Sequence, residues 1–304
     1  MKELRFVGII LVLCLCLVRP LRADTDITPS EVYMKAEEIA REAELLKRHF
    51  GINETVAFEP FQVDLQPRHV WQKLYFIHTK INVLRTKNKF PGITANSMEP
   101  VLQLEPYLNY EQAQRILLEL HILKDRLGIK EEITPVETIE GKQSVDVFNK
   151  LHEVSLQLEA LNREPVTAEY VFAEAMRVFD DVVTILQWFD IDDKTFPPAK
   201  VGNVTLSQTL DETFAMMKEI QRLQRHAGLQ ITDFSPFHKK EDVRMSDIFN
   251  MTGMCLAELM PLKAYTGIKE LTPAAQYHEA KTIVEVHQLL SWITRKLKLV
   301  REVR

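Results

Sequence analysis

Apolar residues recur at spacings of three and four through most of the chain, and this periodicity constrains the fold more than any other feature. At 3.6 residues per turn, such spacing places the apolar side chains on one face of an α-helix. Eight segments show the pattern, running from Val32 to Phe50, Val70 to Leu84, Ala113 to Leu127, Val147 to Leu161, Val171 to Phe189, Leu210 to Leu223, Ile248 to Leu262 and Ile283 to Val300. Such seams suit helices packed in bundles, so we predict an all-α fold of about eight amphipathic helices.

Start and stop signals agree with these segments. Helices are predicted to open at Pro29, at Thr167 and at Thr272-Pro273, where a capping residue or an early proline stands. Glycine is favoured just past a helix end because it adopts the left-handed conformation without strain. The glycines at such positions are Gly51, Gly128 and Gly267.

The chain also resembles itself when it is shifted by 139 residues. Nine of the fifteen positions from Leu117 to Glu131 carry the same residue as their counterparts from Leu256 to Glu270. At the same offset helix one maps onto helix five, and helix three onto helix seven. We therefore predict a tandem duplication of a four-helix unit, with domains at residues 24–163 and 164–304 that meet at a short link, 162–165.

The predicted connections are long. Residues 53–66, 94–108, 130–144, 192–205 and 230–243 exceed the few residues expected between antiparallel neighbours. They carry apolar residues that a free loop would not need, so we expect them to pack along the bundles. These residues include Phe58, Phe61, Val63, Leu102, Leu104, Phe196, Phe234 and Phe237. An extended linker of this length can return past a whole helix, which leaves up-down and parallel topologies with crossovers both open.

The first residues are predicted to be a signal peptide, residues 1–23. Lys2 and Arg5 precede an apolar run from Phe6 to Val18, and a cleavage site follows before Asp24. The run is shorter than a spanning helix needs, so a retained transmembrane anchor is the weaker alternative. We expect an exported protein, periplasmic in a bacterium and otherwise secreted, with no transmembrane anchor after signal cleavage.

Net charge argues against one class of function, and cysteine content excludes one kind of covalent link. Without residues 1–23 the chain keeps 34 basic and 42 acidic residues, a net charge of about −8, which argues against broad nucleic-acid binding. Only Cys255 remains, so no intramolecular disulfide can form. Cys255 lies on the apolar seam of helix seven, and we expect it to be buried and unreactive.

Catalytic and metal-binding signatures do not emerge from the sequence. The histidines lack the spacing of helical di-metal sites and of zinc peptidases, and no haem-attachment, phosphate-loop or nucleophile-elbow motif occurs. His78, His121, His152 and His287 each follow a seam position, so we interpret them as flanking the core, with a cluster between helices as the alternative. We assign no catalytic residue, no metal ligand and no cofactor, and we leave the binding residues unknown.

Two surface features have both a structural and a functional interpretation. Basic residues near the C-terminus complement a helix dipole, or meet an acidic partner or anionic lipid. Aromatic residues at helical spacing belong to the margin of the core, or line a binding surface. The basic residues are Arg295, Lys296, Lys298, Arg301 and Arg304, and the aromatic ones Trp71, Tyr75, Trp188 and Trp292.

The predicted function is that of a non-catalytic helical binding or scaffold protein whose partner is another protein. The alternative is a small-ligand or metal-sensing bundle, and an enzyme without a local signature ranks below both. Pro261 replaces Ile122 of the first unit and is expected to bend helix seven. That bend would open the second unit more than the first and make its pocket the better ligand site.

Overall fold

The computed structural model describes residues 27–54, 58–95, 97–163, 166–238 and 241–301. This part of the chain forms eight α-helices and one 3₁₀ turn and contains no strand, which confirms the predicted all-α class. The predicted signal peptide lies outside the described residues. The helices are α1 Pro29–His49, α2 Pro67–Lys87, α3 Pro106–Leu127, α4 Ser144–Asn162, α5 Ala168–Trp188, α6 Leu206–His226, α7 Met245–Thr266 and α8 Ile283–Leu297, and the 3₁₀ turn is Ser235–Phe237.

Local sequence explains where these helices begin and end. α1 opens with a capping box. The Thr28 hydroxyl accepts a hydrogen bond from the Ser30 amide, and the Glu31 carboxylate accepts one from the Thr28 amide. α3 and α7 both end at a glycine with positive φ, Gly128 at 73° and Gly267 at 83°. One predicted start is wrong, since α8 begins at Ile283 and not at Thr272. The Thr272 hydroxyl instead donates to the Asp181 carboxylate at 2.7 Å.

Helices α1 to α4 form a first bundle in which all four helices run in the same direction. α1 and α2 each pack against both α3 and α4. Contacts between α2 and α4 advance together along both chains, from Lys73 with His152 to Lys87 with Asn162. Likewise, the start of α1 lies near the start of α4, where the Lys142 amide donates to the Ser30 hydroxyl. The topology is therefore parallel with long crossovers.

Helices α5 to α8 form a second bundle with the same neighbours, and its four helices also run parallel to one another. Every helix of this bundle begins 139 residues after its counterpart in the first. Interior contacts correspond as well. The buried Glu42–Lys124 ion pair between α1 and α3, at 2.6 Å, has its counterpart in Asp181–Lys263 between α5 and α7, at 2.5 Å. The duplication and its domain limits remain an interpretation of these correspondences.

The crossover segments are held against the bundles by polar side chains at corresponding positions. Asn82 accepts a hydrogen bond from the Ile93 amide, and Gln221 donates to the Thr232 carbonyl, both at 2.8 Å. Apolar residues in the crossovers add burial, as predicted for Val63, Leu104, Phe234 and Phe237. Leu102 and Phe196 differ from that prediction, with 55% and 79% exposure.

The two bundles pack side by side in opposite directions through α2 and α7. The start of α2 meets the later part of α7, where Arg68 binds Glu258, whereas Phe76 stacks on Phe249 near the start of α7. Buried apolar residues of both bundles belong to one continuous core. None of the helices in the described ranges combines the length and the apolar character that a membrane span requires.

Candidate functional site at the junction of the bundles

The junction between α2 and α7 holds several of the charged side chains that the protein buries. α2 presents Arg68, His69, Lys73 and Lys80 with no more than 8% exposure each. α7 is buried at every position from Met251 to Lys263, including Glu258 at 0%. Charged groups at such depth are stable only when they are paired or shift toward their neutral forms. This junction is therefore the candidate functional site.

Glu258 is the centre of the first polar group. Its Oε1 accepts hydrogen bonds from Arg68 Nη2 at 2.9 Å and from His69 Nε2 at 2.6 Å. Its Oε2 accepts from Gln224 Nε2 at 2.6 Å. Burial acts to raise the pKa of Glu258, but the His69 hydrogen bond and the Arg68 charge outweigh it and leave that pKa below its usual value. The carboxylate is thus charged and saturated with donors.

The tautomer of His69 follows from its second ring nitrogen. His69 Nδ1 accepts a hydrogen bond from the Gln66 backbone amide at 2.8 Å, so Nε2 carries the proton that is donated to Glu258. Burial lowers the pKa of His69, against the opposing effect of Glu258. The ring is a neutral donor that connects the first turn of α2 to α7. A proton relay would need an acceptor beyond this pair, and both ring nitrogens are already engaged.

Lys73 forms a second group without a carboxylate partner among the described residues. Its ammonium group donates to His152 Nδ1 and to Asn250 Oδ1, both at 3.0 Å, and lies 5.2 Å from the centre of the Phe76 ring. Burial lowers the pKa of Lys73 well below its usual value, and the charge of Lys80 adds to that effect. A lysine of this kind has the electronic character of an amine nucleophile, so its access decides whether it reacts.

Lys80 lies two helical turns further along α2 and is better compensated. Its ammonium group donates to the carbonyl and hydroxyl of Ser155, both at 2.8 Å, and forms an ion pair with Glu159. Burial lowers the pKa of Lys80 to about 8, although Glu159 acts against it. Both lysines flank the Phe76 ring, and this arrangement ties α4 to α2 beside the second bundle.

A third group joins α5 to α2. Arg177 pairs with Glu174 at 2.9 Å and lies 3.9 Å over the Tyr75 ring. The Tyr75 hydroxyl accepts a hydrogen bond from the Ala275 amide at 3.2 Å, and burial raises the pKa of Tyr75. Three elements of the second bundle thus contact α2, namely α5, α7 and the segment before α8.

The cavities at the junction are small. One of about 30 Å³ lies between α2, α4 and the start of α5, and Lys80 and Glu159 are among its lining residues. Another of about 10 Å³ lies between α2, α5 and α7, where Lys73 and Gly253 line it. Such volumes hold about one or two water molecules, far less than a substrate or cofactor needs. The low-pKa lysines therefore have no room for a reacting ligand beside them.

Wider clefts lie on the first bundle. One of about 440 Å³ runs between α1, α3 and residues 129–133, and another of about 320 Å³ runs between α1 and α4. Both are lined mainly by charged side chains open to solvent. The expectation that the second unit has the better ligand site stays a prediction. Pro261 lies within one helix, α7, which ends at the position corresponding to the end of α3.

The residues singled out in the sequence are fully buried, buried at the junction of the bundles, or exposed to solvent. Cys255 is fully buried as predicted, and burial raises the pKa of its thiol well above the usual value. His78 is fully buried between the helices, His152 joins the Lys73 group, and His121 stays exposed beside Glu42. Trp71 and Tyr75 are buried at the junction, whereas Trp188 is 52% exposed. Within the described ranges no three His, Cys, Asp or Glu side chains are placed to hold a metal ion.

Sequence reasoning missed Arg68, His69, Lys73 and Glu258 as a group. One signal was present, because α7 carries apolar residues on every face and a helix of that kind is covered on all sides. A carboxylate inside such a helix needs a cation from a neighbouring element. The sequence does not say which element supplies it.

Comparison of the chain with protein-family models, with curated proteins and with solved structures found no match.

Proposed function

We propose that the protein is an exported, non-catalytic helical scaffold that binds another protein through faces of its two bundles. The observation that carries this proposal is the closed junction. Its charged side chains are used to hold α2 against α7, and the cavities beside them admit only water-sized molecules. The polar groups with shifted pKa values therefore serve rigidity, and a rigid body of two antiparallel bundles is a suitable binding scaffold.

Export is part of the proposal and has its own test. Basic residues before a short apolar run support cleavage before Asp24. Fractionation of cells that make the full chain, followed by N-terminal sequencing of the exported form, is expected to give Asp24 as the first residue. An intact Met1 on the exported form would contradict cleavage, and retention of all the protein in the cytoplasm would contradict export.

Protein binding is tested by site-specific photocrosslinking in cell envelopes. A photoreactive amino acid replaces Leu118 or Tyr277, which are both 57% exposed, and Leu120, which is fully buried, serves as the matched control. We expect one crosslinked partner from an exposed position, none from Leu120, and loss of the crosslink when unlabelled protein is added in excess. Crosslinks that excess protein does not reduce would contradict a specific partner.

A small-ligand sensor is the second candidate, and one observation favours it. The cavity of about 30 Å³ opens beside Lys80, whose pKa is about 8, and apolar side chains such as Val83 and Val166 form much of its wall. A ligand would have to widen this cavity on binding. Native mass spectrometry of the exported form distinguishes the candidates, since a stoichiometric small molecule or metal retained on the protein would favour the sensor over the scaffold.

A further inference from the structure

One end of the second bundle combines exposed cations with exposed apolar side chains. Because α5 to α8 are parallel, their four C-terminal ends lie together. Exposed basic side chains surround this end, as they also surround the corresponding end of the first bundle, where Arg48, Lys87, Arg126 and Arg163 are exposed. In the second bundle the exposed residues are Arg225, Arg295, Lys298 and Arg301, and their counterparts are Thr86, Leu156, Glu159 and Asn162.

Two of the carboxylates near this end are already neutralised. Asp193 pairs with the buried Lys296, and Glu219 pairs with Arg222 at 2.8 Å. Arg222 also donates to the carbonyl of Val300 at 2.9 Å, which fixes the end of α8 against α6. Three exposed carboxylates, Asp190, Asp192 and Glu270, lie at this end as well, and Asp192 pairs with Lys194 at 3.0 Å. The four exposed cations stand on an anchored framework and outnumber these carboxylates.

Helix dipoles explain the cations but not the apolar residues beside them. Trp188, Tyr265 and Leu271 are 52%, 44% and 53% exposed at the ends of α5 and α7. The Trp188 ring lies against the end of α7, with Cζ2 3.6 Å from the position of a Cβ at Gly267. The corresponding residues of the first bundle are His49, Arg126 and Glu132. Among the described residues at this end of the bundles, only those of the second bundle combine exposed aromatic rings with cations.

Part of the first bundle lies beside α7 near this end. Arg68, in the first turn of α2, is level with Glu258, and α7 continues from there to Thr266, about 12 Å further. Residues 97–104 of the first bundle lie along this part of α7, since the Ser97 hydroxyl donates to the Thr272 carbonyl at 2.8 Å and Leu104 packs with Met260.

We propose that this end of the second bundle docks the protein on the surface of an anionic membrane. Trp and Tyr rings favour the headgroup region, and cations beside them are attracted to anionic lipids. The net charge of about −8 without residues 1–23 repels the other faces, so the cationic end approaches first. This peripheral binding is independent of the proposed protein partner, and it gives the molecule one orientation on the membrane.

The test uses the exported form, without residues 1–23, because their apolar run would itself enter membranes. Cosedimentation with vesicles of phosphatidylcholine containing phosphatidylglycerol is expected to exceed that with phosphatidylcholine alone by about tenfold, and high salt should abolish it. Equal binding to both kinds of vesicle, or binding to neither, would overturn the proposal.

A triple variant identifies the surface. W188H/Y265R/L271E installs the residues of the first bundle and leaves the net charge unchanged, so a loss of binding reports the apolar side chains. The matched control, Y107R/L118E, changes two equally exposed residues on α3 and should bind like the wild type. Unfolding in urea should show that both variants remain folded. If the folded triple variant binds the anionic vesicles fully, the proposal is wrong.

Fluorescence and a charge variant complete the test. Emission of Trp188 should shift to shorter wavelength on anionic vesicles, and W188F should lose that shift because Trp71 is buried and Trp292 is held by Thr195. K298E/R301N should bind about tenfold less. If soluble polyglutamate binds as well as the vesicles and no Trp188 shift occurs, the surface recognises an acidic protein and not a membrane.

Discussion

Helices α3 and α7 hold the same place in their bundles, yet their surroundings differ. α3 shows one face to solvent, with Tyr107 and Leu118 more than half exposed, whereas α7 is buried on nearly all sides because α2 covers the corresponding face. Leu118 corresponds to Ala257, and Gln114 corresponds to Gly253. Small residues on α7 let α2 approach. The same framework thus supports a free face in one bundle and an interface in the other.

The comparison also shows how a buried charge is balanced. In the first bundle Glu119 is paired within the bundle by Arg85 at 2.7 Å. In the second bundle the corresponding carboxylate is Glu258, and the residue corresponding to Arg85 is Gln224, which donates a hydrogen bond but carries no charge. The compensating cation comes from the first bundle as Arg68. The second bundle therefore depends on the first for its electrostatic balance.

The largest expected effect comes from removing that cation. Arg68→Met should lower the free energy of unfolding by about 3–5 kcal/mol, because Glu258 would remain buried without a charged partner. Arg85→Met is the matched control and should cost less, since Glu119 keeps 14% of its side chain exposed to water. Urea unfolding measures both.

A second substitution sharpens this test. Gln224→Arg added to Arg68→Met recreates the pairing of the first bundle, and we expect it to restore at least half of the lost stability. If Arg68→Met costs no more than Arg85→Met, Arg68 does not provide the charge balance of Glu258. If Gln224→Arg gives no recovery, the two bundles do not share one geometry around this carboxylate.

The next largest expected effect is a difference in stability between loss of the Glu42–Lys124 ion pair and loss of its counterpart, Asp181–Lys263. Without Lys124, Glu42 keeps His121 at 2.9 Å, whereas without Lys263, Asp181 keeps the hydroxyl of Thr272 as its hydrogen-bond donor and the more distant charge of Arg177. Lys263→Met should therefore cost about 3 kcal/mol and Lys124→Met about 1–2 kcal/mol. Adding His121→Ala to Lys124→Met should bring its cost close to that of Lys263→Met, as measured by urea unfolding. Equal costs for the two single variants would contradict a role for His121.

A smaller effect depends on pH and concerns His78, whose counterpart is Met217. Burial lowers the pKa of His78 to about 4, and the charges of Arg115 and Arg85 act in the same direction. The unfolded chain, with a His pKa of about 6.5, binds the proton more readily, so stability falls as pH drops from about 6.5 toward 4. His78→Met removes this loss. Its gain over the wild type should be about 1–2 kcal/mol larger at pH 5 than at pH 7.5.

The reciprocal substitution provides the control. Met217→His should create the same sensitivity in the second bundle, where Met217 is 1% exposed. Urea unfolding at both pH values measures the difference. A pH response that is identical in the wild type and in His78→Met would show that other groups cause the loss of stability in acid.

The periodicity of apolar residues was enough to predict the helices and their order. It could not choose the parallel topology, because a linker of that length permits both directions. The contacts that decide it are polar and long-range, such as Lys87 with Asn162. The wrong helix start predicted at Thr272-Pro273 has a related cause. A capping signal is local, but the Thr272 hydroxyl is engaged by Asp181 of another helix.

The buried charged groups between α2 and α7 could not be predicted from the sequence, for a different physical reason. A charged residue on a helix flank looks the same whether water or a second bundle lies beside it, and Lys73 and Lys80 follow no local rule that marks them as buried. Gly253 and Ala257 were the more informative residues, because small side chains on one face of a helix permit close approach. They indicate a covered face without identifying the helix that covers it.

The smallest expected effect concerns Gly253, the residue of α7 that most distinguishes it from α3. A Cβ at this position would lie 3.8 Å from Glu174 Oε1, which is ordinary contact distance. Gly253→Ala should therefore stabilise the protein by about 0.5–1 kcal/mol through helix propensity. Gly267→Ala is the control and should destabilise it by about 1 kcal/mol, because φ is 83° there. Loss of stability in Gly253→Ala, at an unchanged urea m-value, would mean that α2 and α5 approach α7 too closely for a methyl group, so that the glycine is a condition of the interface.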